Sequence, residues 1–280
     1  MRLYFLLVRR VPPVPSPVLV EVYERLARRG FTVEEGIAEE LVDRVDIREP
    51  EHDLYLLKSL TELSLSIAGA LHARGARLLN PYESCATTQN KIVAVRRLRA
   101  VGVPVPRSWV TGDLELLRPL AERTPLIVKP YLGHRGLGIH VVRSPADLAR
   151  IPQPDAAVIV QEYVEGSGED LKLYVVGEDV FAVRKTFSPE SFTVPGRPST
   201  VTAEARDLAL GVGRALGLGL YGVDVVEGAD GPVAVDVNYF PGYKGVPGAG
   251  ALIASYIERY ARDEIRLEPP TADVGVEVGA

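Results

Sequence analysis

Val233-Ala-Val-Asp-Val-Asn-Tyr-Phe-Pro-Gly-Tyr-Lys-Gly-Val-Pro247 sets two oxygen-bearing side chains, Asp236 and Asn238, into an apolar run that ends in a Gly- and Pro-rich turn. In a strand, that i, i+2 spacing puts both on one face while Val235 and Val237 face the other way. A carboxylate and an amide oxygen on one face are half a site for a hard cation such as Mg2+, which takes oxygen ligands and keeps waters for a substrate phosphate. Mn2+ accepts the same kind of ligand. Asp224, in Tyr221-Gly-Val-Asp-Val-Val226, is the further acidic group such a site needs. The turn Gly228-Ala-Asp-Gly-Pro232 predicts a hairpin that carries Asp224 to the same place. Without other groups around them, Asp236 and Asn238 could equally be strand-end residues that satisfy the turn.

Composition narrows the class. The chain has 280 residues, 46% hydrophobic and 25% charged, enough for a sizeable core in more than one domain. A formal net charge of -5 argues against a nucleic-acid-binding surface as the main business, although it leaves room for a local basic pocket. The single cysteine, Cys85, rules out an intramolecular disulfide and a Cys-rich zinc site, so the cytosol is the expected location. Met1 to Val8 is apolar but too short to span a bilayer, and Arg9-Arg10 and a proline run follow it. It reads as a buried strand, with no membrane partner expected. Self-association into a homo-oligomer is compatible with all of this.

The first ninety or so residues alternate strand and helix. A Pro-rich connection over 11–17 leads to helical spacing from Val18 to Arg29, then a short strand at Phe31 to Val33. Leu54 to Leu57 reads as a strand with Lys58 at its carboxyl end, Leu63, Ile67 and Leu71 as a helix, and Arg77 to Leu79 as a further strand. Alternation of this kind predicts a small parallel α/β domain over 1–88, whose ligands gather at the carboxyl ends of its strands. Thr88 or Asn90 is a candidate cap for a helix carrying Lys91, and Pro104 and Pro106 break the chain before the strand Ser108 to Thr111. Leu126-Ile-Val-Lys-Pro130 embeds Lys129 in a β-rich run just before Gly133-His-Arg-Gly-Leu-Gly138. A lysine-bearing strand followed by a Gly-rich turn suits phosphate, because backbone N–H groups can approach the anion and the lysine adds a point charge. The turn is neither a Walker-type loop nor a dinucleotide fingerprint.

Ala157 to Val164 is the next strand, ending at Gly166-Ser-Gly168, where unpaired backbone groups could meet the edge of a base. Leu171 to Val176 alternates strictly, with Lys172 and Tyr174 on one face. Gly177 to Asp179 turns it into Val180 to Lys185, which brings Arg184 and Lys185 near. Basic groups and a divalent cation around one pocket form the layout for moving a phosphoryl group.

With these pieces placed, the stretch from about Lys58 to Tyr260 resembles an ATP-grasp enzyme in order and spacing. The resemblance implies two α+β lobes holding ATP between them, a lid at 89–165 and a metal-bearing lobe at 166–266 behind the N-terminal domain, with 267–280 a flexible tail. By that likeness Lys91 and Lys129 are nucleotide lysines, and Gly133, Gly136 and Gly138 belong to a loop over the phosphates. Gln161, Glu162 and the backbone of Val164 meet adenine, and Asp170 counts with the nucleotide-binding set. Lys172 and Arg184 are the catalytic cations, with Arg184 beside the γ-phosphate, and Asp224, Asp236 and Asn238 hold Mg2+. An anionic small-molecule or peptide acceptor would lie between Lys58 and Lys244.

Within the superfamily two branches share features with the chain. Overall size, Asp170 two residues before a cation and the Val-Val-Gly at 175–177 resemble RimK-like ligases, which join a carboxylate to an amine through an acyl phosphate. Asp236 in place of the usual glutamate, Lys172 in place of arginine, and His134 resemble inositol polyphosphate kinases, which phosphorylate a hydroxyl. Ser188 to Arg197 replaces a segment common in the glutamate ligases. The ligase is favoured, because an acidic chain suits a heavily phosphorylated substrate poorly. A nucleotide-binding module without chemistry would not need the acidic pair.

Overall fold

The computed structural model describes residues 1–9, 14, 16–41, 49–132, 138–166, 168–186 and 196–270. Among them the strands form three sheets. The expected loop glycines Gly133 and Gly136, with His134, lie outside the described residues, as does most of the Pro-rich connection and the tail beyond 270.

The N-terminal sheet is parallel with order β2-β1-β3-β4, from β1 (Arg2–Leu7), β2 (Thr32–Ile37), β3 (Leu54–Lys58) and β4 (Leu78–Leu79). Residues Leu54 to Leu57 of β3 are all buried, as expected of a parallel strand covered on both faces. Helix α1 (Pro17–Arg28) covers one face and α2 (Glu62–Ala73) the other. Pro17 at the first helical position suits its fixed φ, and Thr61 caps α2 by accepting the Ser64 N–H at 3.2 Å. Helices α3 (Tyr82–Gln89) and α4 (Lys91–Ala100) follow.

A small lobe comes next. Its antiparallel sheet has order β5-β8-β6-β7, built from β5 (Ser108–Thr111), β6 (Leu126–Pro130), β7 (His140–Val142) and β8 (Val158–Glu162). With α5 (Arg118–Ala121) and α6 (Pro145–Leu148) it encloses a core of its own around Leu126, Val142 and Val160. The third sheet is antiparallel, order β11-β10-β9-β12-β13. It comprises β9 (Glu169–Val176), β10 (Asp179–Thr186), β11 (Arg197–Ser199), β12 (Leu220–Gly228) and β13 (Gly231–Tyr239), with α7 (Ala203–Leu216) on one face and α8 (Ala249–Ala261) packed on α1.

Packing joins the N-terminal and third sheets into one body. Tyr55 and Leu57 share a continuous core with Leu173, Val223 and Val237. Asn80, fully buried after β4, accepts the N–H groups of Gly219 and Leu220 at 2.8 and 3.0 Å and donates to the Leu220 carbonyl at 2.8 Å. The Tyr260 hydroxyl donates to the Leu78 carbonyl at 3.0 Å. Ala94 and Leu98 of α4 belong to the same core, so this helix, expected with the lid at 89–165, packs as part of the larger body. Among the described residues no helix is long and apolar enough to cross a membrane.

Candidate functional site

The hairpin β12–β13 forms where the turn glycines predict it, with Gly228 opposite Gly231 and Asp224 directly opposite Asp236. Opposed residues of an antiparallel pair point to the same side. Lys172 of β9 lies opposite Asp224 in turn, so Lys172, Asp224 and Asp236 stand in a row across three strands. Asn238 and its opposite, Gly222, fall one step along on the same face. A bulge corrects one detail of the sequence reading. The register shifts after Asp224, so Val235 is the extra residue and Ala234, with Val237, faces the core. A bulge takes a backbone group out of the ladder. Here Lys129, reaching from β6, donates to the Val235 carbonyl at 3.0 Å.

The Lys172 ammonium sits 2.7 Å from the Asp224 carboxylate, and Lys91 pairs with Asp236. Burial lowers the Lys172 pKa, yet Asp224 and further neighbours outweigh it and leave the group pushed up to about 12. Burial raises the Asp236 pKa, but the Lys91 and Lys129 ammoniums more than offset it and hold the carboxyl below its ordinary range. For buried Lys129 the balance is opposite: desolvation outweighs the attraction of Asp236 and Asp224, with Lys91 adding repulsion, and its pKa falls. Lys91 is the first residue of α4, whose cap is Asn90; the Asn90 side chain accepts the N–H groups of Ile92 and Val93 at 3.2 and 3.3 Å. The positive end of a helix dipole disfavours a cation and favours an anion. Lys91 at that position therefore calls for a negative partner, now Asp236.

These groups close a narrow cleft of about 20 Å3, lined by Lys91, Ala94, Lys129, Ile159, Gln161 and Asp236 among others. Ile127, Lys129, Ile159 and Gln161 share one face of the small-lobe sheet, and the register adds Val110 and Val141 to it. Both valines are exposed, and with Ile127 and Ile159 they form an apolar platform that the sequence reading did not single out. Its signal was the alternation at 140–142, where His140 shares the face of core residue Val128. Glu162 pairs with Arg107 at 3.0 Å, and Val164 lies against the β12–β13 turn, where a Cβ on Gly228 would stand 3.2 Å from its Cγ1. Gly138 has φ of +71°, the left-handed region that favours glycine.

Arg184 needs correction. It lies opposite Leu171, on the face away from Lys172, because β10 alternates like any strand. Glu227 grips its guanidinium at 2.6 and 2.9 Å, and Ser199 accepts from its Nε at 3.2 Å. Lys185 takes the inward place, opposite Asp170. Burial raises the Asp170 pKa, with Asp224 adding to the rise and Lys172 and Lys185 opposing it. Of the two expected acceptor lysines, Lys58 stands with its ammonium 5.4 Å from the Phe240 ring centre, and Lys244 follows Tyr243, whose hydroxyl donates to the Val175 carbonyl at 2.7 Å. Among the described residues no three His, Cys, Asp or Glu side chains come together. The oxygen set Asp224, Asp236 and Asn238 nevertheless fits a hard cation, since two facing carboxylates presently need lysines to balance them.

Two lobes closing lysines and carboxylates over a narrow cleft define an ATP-grasp fold. The sequence profile of the RimK-like ATP-grasp domain matches residues 88–259, and the chain belongs to that family, whose members are ATP-dependent carboxylate–amine ligases. A probable alpha-L-glutamate ligase of Saccharophagus degradans is 26% identical over 224 residues, which cover 73% of this chain and 74% of that protein. The crystal structure of a RimK domain ATP-grasp protein from Sphaerobacter thermophilus superposes with a TM-score of 0.74 at 22% identity, covering 92% of this chain and 100% of the other. The D-alanine–D-alanine ligase of Bacillus anthracis, complexed with ATP, gives 0.68 at 17% identity, covering 94% and 99%.

Proposed function

We propose that this protein activates a carboxylate with ATP and condenses the product with an amine. The observation that carries the reading is the row Lys172–Asp224–Asp236, with Lys91 paired to its end and Lys129 reaching it from across the cleft. Adenine would lie on the apolar platform of Ile127, Val141 and Ile159, with Gln161 at its edge. Lys91 and Lys129 would turn from Asp236 and the Val235 carbonyl to the phosphates, and the N-terminus of α4 would add its dipole. Asp224, Asp236 and Asn238 would hold Mg2+, which neutralises phosphate charge and orients the reacting oxygens when bound. Lys172 lies beside the carboxylate row and would stabilise charge on the transferring phosphoryl group. The acceptor carboxylate takes the γ-phosphoryl, ADP leaves, and the amine attacks the acyl carbon and expels phosphate. Closure of the lobes keeps water from the acyl phosphate.

Kinship with probable alpha-L-glutamate ligases supports an amino-acid or peptide acceptor. The test is incubation of purified protein with ATP, Mg2+ and a panel of amino acids, short peptides and polyols, with ADP release and product mass measured together. A condensed product carrying neither phosphate nor adenylate supports the ligase. A phosphorylated hydroxyl without condensation would replace it with a kinase.

A further inference from the structure

We propose that Tyr174 is a positioning residue for Lys172: its ring face seats the Lys172 ammonium beside the carboxylate row, alongside the Asp224 carboxylate and independently of it. The part that Lys172 plays in the reaction rests on the ligase reading, but the seat itself rests on geometry. Lys172 and Tyr174 are two residues apart on β9, so their side chains leave the sheet on one face. The Lys172 Nζ lies 5.8 Å from the centre of the Tyr174 ring, inside the reach of about 6 Å over which a cation and a π face attract. Its ion-pair partner is Asp224, at 2.7 Å. The two holds differ in kind. A hard cation takes carboxylate oxygens and has no use for a ring face. A metal on Asp224 would therefore compete for the ion pair and leave the ring contact in place.

Neighbours fix the ring. Tyr174 is buried, and its ring centre lies 5.3 Å from that of Tyr243 with the planes tilted by 33°. The Lys244 backbone hydrogen-bonds the Tyr174 hydroxyl, and the Tyr243 hydroxyl donates to the Val175 carbonyl at 2.7 Å. Tyr243 has φ of +50°, the left-handed region that a bulky residue enters only where its surroundings hold it there. This turn folds the segment after β13 back across the sheet and sets the Tyr243 ring against Tyr174. On β12, Gly222 lies opposite both Tyr174 and Asn238. A Cβ at Gly222 would stand 3.5 Å from the Lys172 Cε and 3.1 Å from the Pro241 Cγ. The Lys172 stem thus leans from β9 towards β12, with Gly222 beside it and Asp224 at its end. A tyrosine that only filled the core would serve through its shape, whereas a seat for a cation depends on the electron density of the ring.

The test replaces Tyr174 by phenylalanine and by its mono-, di- and trifluoro analogues, which keep the shape of the ring and progressively withdraw electron density from its face. In nucleotide-free protein that is otherwise wild type, Tm should fall stepwise along the series, by about 1–4 °C in all. In the Lys172→Met background it should stay level, and if that variant gives no cooperative melt, Lys172→Gln takes its place. With Mg2+ and ATP, Tyr174→Phe should keep most of the ADP release. Along the fluorinated series kcat should then fall by about tenfold, with the KM for ATP within about twofold, since Lys91 and Lys129 hold the nucleotide whichever ring is present. Parallel Tm trends in the two backgrounds overturn the seat, whatever the turnover. Condensation in the activity panel together with such parallel trends removes only the seat. A Tm trend that needs Lys172 upholds the seat; with no condensed product it removes only the ligase reading, and with condensation but a level kcat it removes only Lys172 from the reaction.

Discussion

Replacing Lys129 by methionine should make the nucleotide-free protein more stable while weakening its hold on ATP. The ammonium is buried, its one hydrogen bond to a described group runs to the Val235 carbonyl at 3.0 Å, and it shares the field of Asp236 with Lys91. Its lowered pKa gives the sign: desolvation outweighs attraction, so the charged form is worse off folded than unfolded. Methionine keeps the volume and removes the desolvation cost of the charge; Lys91 remains paired with Asp236, and the carbonyl left without a donor takes back about 1 kcal/mol. The lowered pKa makes the net a gain, on the order of 1 kcal/mol, or about 2–4 °C in Tm. Because a lysine with a lowered folded pKa binds fewer protons folded than unfolded, wild-type stability rises with pH between that pKa and the ordinary lysine value of about 10.4. The methionine advantage is therefore full below the window and fades across it. Saturating Mg2+ and ATP should reverse the order, since about 100 Kd of ligand stabilises the wild type by about 2.7 kcal/mol and the variant by less. Thermal melts of both proteins with and without nucleotide test this. A methionine variant less stable than wild type by more than 1 kcal/mol at neutral pH without ATP would refute the reasoning.

Asp224→Asn and Asp236→Asn should each cut kcat by about 100-fold or more and keep cooperative melts; near-normal turnover in both sinks the metal assignment. Asn90→Ala should cost about 1 kcal/mol by uncapping α4 and should raise the KM for ATP through Lys91; denaturant unfolding and nucleotide titration report the two effects. Asn80→Ala should cost about 3 kcal/mol, since it strips partners from buried backbone groups of Gly219 and Leu220; a loss under 1 kcal/mol in urea unfolding would show that β12 is held elsewhere.

Much of the architecture could be read because its signals are local. Leu54 to Leu57 is apolar throughout and bounded by Lys58, which marks a strand covered on both faces. Gly228 to Gly231 forces a hairpin, and a hairpin fixes which residues of its two strands meet. The phase of β10 was not legible. Val180-Phe-Ala-Val183 is apolar at every position, so no alternation tells whether Arg184 or Lys185 turns inward, and only pairing with β9 decides. The extra residue at Val235 escaped for a similar reason, because one more valine among valines leaves no mark. Nor could helical spacing say that Ala94 and Leu98 of α4 pack with the third sheet, since an apolar stripe does not name what covers it.

The partners now satisfying the site bear on how its ligands must arrive. Asp236 holds Lys91, Asp224 holds Lys172, and Lys129 rests on a carbonyl, so neither the lysines nor the carboxylates wait in open solvent. A divalent cation arriving alone would have to share both carboxylates with ammonium groups it repels. ATP without metal would bring its phosphates against two carboxylates. Together, the phosphates relieve the lysines as the metal relieves the aspartates, and each exchange removes the obstacle to the other. On the proposed function the two ligands would be coupled through these five side chains, and the coupling would be reciprocal: whatever affinity ATP gained from Mg2+, Mg2+ would gain from ATP. The same exchange has to part Lys91 from Asp236 and Lys129 from Val235, and Lys129 and Val235 stand on opposite sides of the cleft. On the proposed function, entry of the nucleotide would part both contacts, so rearrangement of charge partners and opening of the lobes would be one event.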